Sequence, residues 1–277
     1  MQGGFQVKSS EVKVFGRAAM VGRQLSGAMI PFAFCVAVLL WGFMTANVRL
    51  LLSASAIEQA ISAWGEIFVP LMNIAACLML IFIGAFVFSP AVVGIHEWFM
   101  NGALGRKRGL QTVFSWYAPK KAVRAFFVCV TLTVIKSAVY ILFCLPGLAL
   151  AAGGVYMLFS TSVSLSLAVI IFTGSAILLL MGAVFAFCAV QRYAVVPYIV
   201  ALRPETRVRS AISASARIMQ GRYVSLAAFK LSFLPWLIAC VLIVPAFFVW
   251  PYYKQAYAIW VLETVQSVKS QNSQCEK

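Results

Sequence analysis

The sequence contains no aspartate, and its seven acidic residues, all glutamates, stand against 22 lysines and arginines. It has one histidine, His96, and no two of its seven cysteines have CxxC spacing. A zinc site needs several cysteine or histidine ligands, so the sequence predicts no metal site. It also contains no P-loop, GxSxG, HExxH or dinucleotide-binding motif. We therefore predict no cofactor and no catalytic residue, and the sequence favours a non-enzymatic protein.

Charged residues of any kind are scarce, and apolar residues replace them. The chain of 277 residues is 63% hydrophobic and 10% charged, with a mean hydropathy of +0.95. Soluble domains average about 45–50% apolar and about 25% charged residues. The composition therefore indicates a membrane protein. The net charge of +15 would suit a nucleic-acid partner, but the basic residues are clustered between apolar runs, which favours membrane topology and no nucleic acid.

Five apolar runs are close to the length of about 20 residues that spans a bilayer as a helix. They lie at residues 28–47, about 67–93, about 125–150, about 163–190 and about 225–250, the last interrupted by Pro235 and Pro245. An aromatic stretch at 252–266 could form a short sixth helix or lie at the interface. The first run could also be a signal peptide, but its length favours an uncleaved helix. We predict an all-α integral membrane bundle with five to six transmembrane helices, with a basic segment at 1–27, a transmembrane domain at 28–266 and a polar tail at 267–277.

The distribution of basic residues predicts the orientation of these spans. The N-terminal segment has four, residues 96–124 have six and residues 191–230 have seven, whereas residues 48–66 have one and residues 151–162 have none. Positive charge is concentrated in cytoplasmic loops of membrane proteins. The alternation predicts a multi-pass protein with a cytoplasmic N-terminus.

A basic amphipathic helix is predicted at about 204–221, ahead of the fifth apolar run. Pro204 suits a first helical position and Gly221 suits the end of the helix. The less polar face of this helix is formed by Val208, Ile212, Ser215 and Met219. Four arginines on or after this helix are candidate lipid-headgroup contacts: Arg207, Arg209, Arg217 and Arg222. They could bind an anionic lipid or a partner specifically, or act as topology determinants that make generic headgroup contacts.

Lys136 is the candidate functional residue within the membrane, near the middle of the third run. A charge at such depth costs about 2.5–3.5 kcal/mol on insertion scales and is often functional. Lys136 could attract an anionic substrate, face a water-filled cavity, or extend its long side chain to the interface.

Several other conspicuous residues are interpreted as structural. His96 and Glu97 are adjacent, so they point about 100° apart on a helix and do not form an acid–base pair. Gly174 and Gly182 are predicted to allow close helix packing. Tryptophans near predicted span ends, such as Trp98, are typical of the headgroup region, although some of them are expected to be core residues.

The C-terminal part of the chain resembles a known family. "AISASARIMQGRYVSLAAFKLSFLPW" and the later "WPYYKQAYAIW" resemble the signature of the domain-of-unknown-function 975 family. "LPGLALA" at 145–151 and "YAVVPYIVA" at 193–201 resemble two further elements of that family. The matching positions of the signature are Ala211, Ile212, Ser215, Met219, Gly221, Leu231, Ser232, Phe233, Trp236, Pro251 and Tyr252.

The resemblance covers roughly residues 100–264. It implies a polytopic protein of the bacterial inner (plasma) membrane, from a family without an established activity. About 30 additional residues near 155–188, and "VLIVPAFF" in place of the family's glycines, depart from the pattern.

Two hypotheses for function follow. The first is a membrane scaffold or accessory subunit that contacts anionic phospholipid headgroups or a membrane protein partner. The alternative is a small transporter or lipid-handling protein for an anionic substrate, with Lys136 and proline-broken helices at its site. A membrane enzyme ranks third, since no paired catalytic groups are found.

Overall fold

A computed structural model describes residues 9–54, 68–106, 108–160, 164–239 and 243–275 of the chain. Every regular element within these ranges is helical. Two 3₁₀ turns, Ser115–Tyr117 and Gln191–Tyr193, accompany the α-helices. The helices are α1 (Ser9–Met20), α2 (Gln24–Ala54), α3 (Phe68–Ala103), α4 (Gln111–Phe114), α5 (Pro119–Ser160), α6 (Leu165–Val190), α7 (Val196–Leu202), α8 (Val208–Met219), α9 (Tyr223–Leu231), α10 (Leu234–Ala239) and α11 (Ile243–Cys275).

Four stretches of the described residues are long and apolar enough to cross a membrane. They are Gln24–Val48, Ile74–Ala103, Pro119–Phe159 and Ser166–Leu202. Each contains one of the first four predicted runs, in whole or in large part. These four helices are those of a multi-pass membrane protein, and the all-α fold is confirmed.

The predicted total of five to six spans is not confirmed. The fifth run is divided between α9, the short α10 and the start of α11, with residues 240–242 outside the described part of the chain. Pro235 lies within α10 and Pro245 lies near the start of α11. Proline lacks an amide hydrogen and weakens helical hydrogen bonding, which favours a break next to Pro235, although α2, α3, α5 and α11 each continue through an internal proline.

The described structure divides into two compact units, and the first comprises Met1–Phe127 with Phe233–Lys277. Its central element is α11, which packs against α1, α2 and α3. Small side chains permit this packing: a Cβ added at Gly16 would lie 3.0 Å from the Cβ of Ala256. The aromatic stretch at 252–266 is therefore part of a buried helix core, and Ala256 and Ala258 have no exposed surface.

The second unit comprises Val128–Ser232. Within it, Gly182 of α6 lies directly over the backbone of α5, since an added Cβ would be 2.3 Å from the carbonyl oxygen of Phe143. The predicted role of Gly182 in close helix packing is confirmed. Gly174 has a looser environment, with Leu150 Cδ2 at 3.6 Å from an added Cβ.

The predicted basic helix at 204–221 is shorter than expected, because α8 covers only Val208–Met219. Arg207 has an extended backbone (φ −63°, ψ 141°), so the helix begins after it and Pro204 lies in the preceding turn. Gly221 adopts φ +74°, a left-handed conformation that glycine tolerates without a steric penalty. The chain is therefore redirected at Gly221, as predicted, but two residues after the helix ends.

Two tryptophans near predicted span ends are buried within the protein. Trp98 and Trp116 each expose 1% of their surface. Trp116 Nε1 donates a 2.6 Å hydrogen bond to Glu97, so this indole lies in the protein core. Both are core residues, as expected for some of the tryptophans near span ends.

Candidate functional site

The predicted arginine face is held outward by the way in which α8 is docked. α8 packs against α7 and the 3₁₀ turn Gln191–Tyr193, and it buries Ala211, Ser215 and Met219. Ser215 Oγ, fully buried, donates a hydrogen bond to the carbonyl oxygen of Arg192 at 2.8 Å. Because the helix is anchored through one face, the side chains on its opposite face are exposed.

Three of the four predicted arginines are exposed on this helix or directly before it. We call Arg207, Arg209 and Arg217 the α8 arginine face. At about 100° per residue, Arg209 and Arg217 flank the direction opposite the buried side of the helix. Neither side chain makes an ion pair or a hydrogen bond to another residue in the described part of the chain. Arg222 differs, since it is half-buried at the N-terminus of α9.

A cavity of about 580 Å³ lies beside the α8 arginine face within the second unit. Arg192 and Arg217 contribute its charged side chains, and Tyr223 adds an aromatic wall. None of its described lining residues is acidic. The surroundings therefore favour an anionic group, and an arginine pair can donate several hydrogen bonds to phosphate oxygens.

Lys230 was counted from the sequence as one more cytoplasmic cation, but the structure gives it an internal contact. Its Nζ donates a 2.5 Å hydrogen bond to Gln191 Oε1. Gln191 is buried, and its Nε2 donates to the carbonyl oxygen of Phe187 at 2.9 Å. Lys230 therefore links α9 to the end of α6. A run of neighbouring basic residues gives no signal that distinguishes this half-buried lysine from the exposed arginines.

Lys136 is half-buried in α5. It lies two helical turns after Cys129 and one turn after Leu132, so all three residues lie on one side of the helix. Leu132 is buried. Lys136 does not line the cavity next to the α8 arginine face. The structure does not bring together Lys136 and the predicted arginines around that cavity.

His96 and Glu97 have separate structural contacts, in agreement with their predicted role. The His96 ring Nδ1 is 2.7 Å from the carbonyl oxygen of Val92. Glu97 accepts the hydrogen bond from Trp116 and forms a 3.5 Å salt bridge with Arg108. The two side chains therefore do not act on a shared proton.

A second polar cluster, around Arg23 in the first unit, was not predicted from the sequence. Arg23 stacks over the ring of Trp98, with Cζ 4.0 Å from the ring centroid. From the sequence, Arg23 was one of four basic residues of the N-terminal segment. Its partner lies 75 positions away along the chain, so no local pattern indicates the contact.

Comparisons with protein-family models, curated proteins and solved structures return no match for this chain. The resemblance to the domain-of-unknown-function 975 family therefore stays a prediction.

Proposed function

We propose that this multi-pass membrane protein is a non-enzymatic scaffold or accessory subunit whose α8 arginine face contacts anionic phospholipid headgroups. The proposal is supported mainly by the docking of α8, which buries one face of the helix in its own unit. The guanidinium groups of Arg209 and Arg217 are exposed and have no ion pair or hydrogen bond with the described residues. An amphipathic helix with arginines outward suits the boundary between protein, headgroups and water. Each Lys or Arg near an anionic surface contributes about 1 kcal/mol of attraction.

The proposed orientation places this face on the cytoplasmic side of a bacterial inner membrane. The support is the charge alternation between loops and the resemblance to the domain-of-unknown-function 975 family. The test is thiol labelling of intact cells with a membrane-impermeant reagent. A Lys107→Cys variant should stay unlabelled, whereas a Ser162→Cys variant in the next connection should label. Ready labelling at 107 from outside would contradict the topology.

The lipid contact is tested by measuring how strongly spin-labelled phosphatidylglycerol associates with the reconstituted protein, relative to phosphatidylcholine. Replacing Arg207, Arg209 and Arg217 together by Gln should remove the preference, because the attraction requires their charge. The matched control replaces the same residues by Lys, which keeps the charge and should keep most of the preference. An unchanged preference in the Gln variant would show that these arginines do not carry it.

The scaffold role predicts a stable protein partner. Affinity purification from native membranes should recover another membrane protein in constant proportion, and the α8 Gln variant should be recovered with the same partner if the contact lies elsewhere. Repeated recovery of this protein alone would count against the scaffold role.

A small transporter or lipid-handling protein for an anionic substrate is the second candidate, because Lys136 is half-buried in a helix that is long enough to span the membrane. Replacing Lys136 by Met should then abolish uptake of an anionic substrate into vesicles and leave insertion intact. Unchanged uptake would exclude a role for Lys136.

A further inference from the structure

The first unit contains a cavity of about 790 Å³, within the range of about 300–1,000 Å³ that is typical of small-ligand sites. The end of α1, the start of α2, the end of α3 and the later part of α11 surround it. Its apolar lining includes Phe15, Leu110 and Leu262, and its polar lining includes Arg23 and Glu263. We refer to it as the Arg23 cavity. It is therefore large enough for a ligand with both a charged and an apolar part.

Buried polar atoms without partners are concentrated next to this cavity. Arg23 Nη2, Trp98 Nε1 and both polar atoms of the Gln255 side chain have no hydrogen-bond partner in the described structure. Trp98 exposes 1% of its surface and Gln255 exposes none. More than about 90% of buried polar groups in proteins are paired. Among the described residues, several unpaired polar groups therefore lie together beside this cavity and give its wall a polar region.

Gly102 shows how closely these groups are arranged. A Cβ added at Gly102 would lie 2.3 Å from Arg23 Nη1 and 2.8 Å from Gln255 Oε1. Since Arg23 also stacks over Trp98, one guanidinium lies between the indole and the end of α3. The absence of a side chain at Gly102 leaves the space that this guanidinium occupies.

The charge around the cavity favours an anion. Arg23, Arg106 and Arg108 line it, and Glu263 is its acidic lining residue. Arg108 already pairs with Glu97 at 3.5 Å, whereas Arg23 has no carboxylate partner in the described part of the chain. Burial lowers the pKa of the Arg23 guanidinium, but arginine stays protonated in proteins at neutral pH. A partly buried cation without a counter-ion is costly, and an anionic ligand offsets that cost.

The backbone around Arg23 adds to this preference. The carbonyl oxygen of Arg23 accepts the hydrogen bond from the Gly27 amide at 2.8 Å, so Arg23 directly precedes the first turn of α2. The first amides of a helix have no intrahelical partner and attract anions. Ser26, in this first turn, also lines the cavity.

We propose that the Arg23 cavity binds the phosphate group of an amphiphilic or soluble phosphate ester, with the Arg23 guanidinium as its main contact. A guanidinium donates two parallel hydrogen bonds to phosphate oxygens, and the apolar lining accommodates the organic part of the ester. The site uses residues different from the α8 arginine face, so it does not depend on the proposed scaffold function.

The test is binding to the purified full-length protein in neutral detergent, measured by native mass spectrometry and by isothermal titration calorimetry. The probes are dioctanoyl phosphatidic acid, dioctanoylglycerol, which is the same lipid without its phosphate, and inorganic phosphate. Two variants weaken the site in different ways. Arg23→Gln removes the charge, and Gly102→Ala keeps every charge but displaces the guanidinium.

Each variant has a matched control. Arg203→Gln changes the net charge equally at an exposed arginine of the second unit. Gly109→Ala adds a methyl group at another glycine of the cavity wall, where nothing lies within 4 Å of the added Cβ. Circular dichroism and gel-filtration profiles establish that each variant is folded.

We expect saturable binding of phosphatidic acid to the native protein, at least about tenfold weaker binding to Arg23→Gln and Gly102→Ala, and unchanged binding to both controls. If Arg23→Gln fails to fold, Gly102→Ala decides. Competition by inorganic phosphate would identify a soluble phosphate ester as sufficient, and the lack of it would identify a lipid. Equal binding of dioctanoylglycerol, or full binding by folded Gly102→Ala, would overturn the proposal.

Discussion

Gly182 is a position at which one added methyl group should lower the stability of the protein by a calculable amount. Its Cβ would lie 2.3 Å from the Phe143 carbonyl oxygen and 2.9 Å from the carbonyl carbon, whereas ordinary contacts begin at 3.4 Å. Both atoms belong to the backbone of α5, so no side-chain rotation relieves the clash. The two helices must separate locally by about 1 Å, which weakens the dispersion contacts on which helix association in membranes depends.

The expected cost for Gly182→Ala is that of overpacking, about 1–3 kcal/mol of unfolding free energy. Alanine also gains up to about 1 kcal/mol of helix propensity, and this gain is common to the control, Gly174→Ala. Both positions lie in α6, but a Cβ at 174 meets only Leu150 Cδ2, at 3.6 Å. The difference between the two variants therefore isolates the clash with α5.

The assay is thermal unfolding of purified protein in detergent, followed with a thiol-reactive fluorophore. Cys144 is well placed as a reporter, because its Cα lies 3.3 Å from the added Cβ at 182. Gly182→Ala should melt at a lower temperature than Gly174→Ala and react earlier at Cys144. Equal melting temperatures would refute the close contact between α5 and α6.

Two further predictions concern the first unit. Trp116→Phe removes the donor to the Glu97 carboxylate at 2.6 Å and should destabilise the protein by about 1.5–3 kcal/mol. The control is Trp250→Phe, because the Trp250 indole has no hydrogen bond in the described part of the chain, and it should lower the melting temperature less in the same assay. A larger loss of stability in Trp250→Phe than in Trp116→Phe would contradict this prediction. Burial, and secondarily the charge of Glu11, raises the pKa of Glu263. Affinity of the Arg23 cavity for phosphate should therefore increase as the pH falls through that pKa, since Glu263 loses its repulsive charge. In calorimetric titrations, the Glu263→Gln variant should bind phosphate more tightly at neutral pH and should show no such increase in affinity as the pH falls. Weaker binding by this variant would show that Glu263 contacts a cationic part of the ligand instead.

Amphipathic periodicity predicted the outward direction of the α8 arginines but not the precise start of the helix. The alternation of polar and apolar residues depends only on local spacing, so the buried positions of Ser215 and Met219 follow from the pattern. The helix boundary depends on the backbone of Arg207, which is extended although its residue type permits a helix. The prediction that the helix begins at Pro204 is therefore wrong.

The same limits apply to the two half-buried cations. Lys230 and Arg23 both lie in basic segments, and hydropathy assigns them the same role as their exposed neighbours. Lys230 forms a hydrogen bond with Gln191, 39 positions away, and Arg23 stacks on Trp98, 75 positions away. Neither contact leaves a periodic signal, because each joins residues that are far apart along the chain.

The sequence by itself determined that this is a helical membrane protein, since long apolar runs require a bilayer and their hydrogen bonds require helices. It also determined the clustering of cations from which the orientation is predicted. Only the tertiary structure decided which cations are exposed and which are enclosed. Solvation of a charge depends on the side chains that surround it, and those side chains come from distant parts of the chain. For this reason the Arg23 cavity, with its unpaired buried atoms, emerges from the packing of α1, α2, α3 and α11 and from no single stretch of sequence.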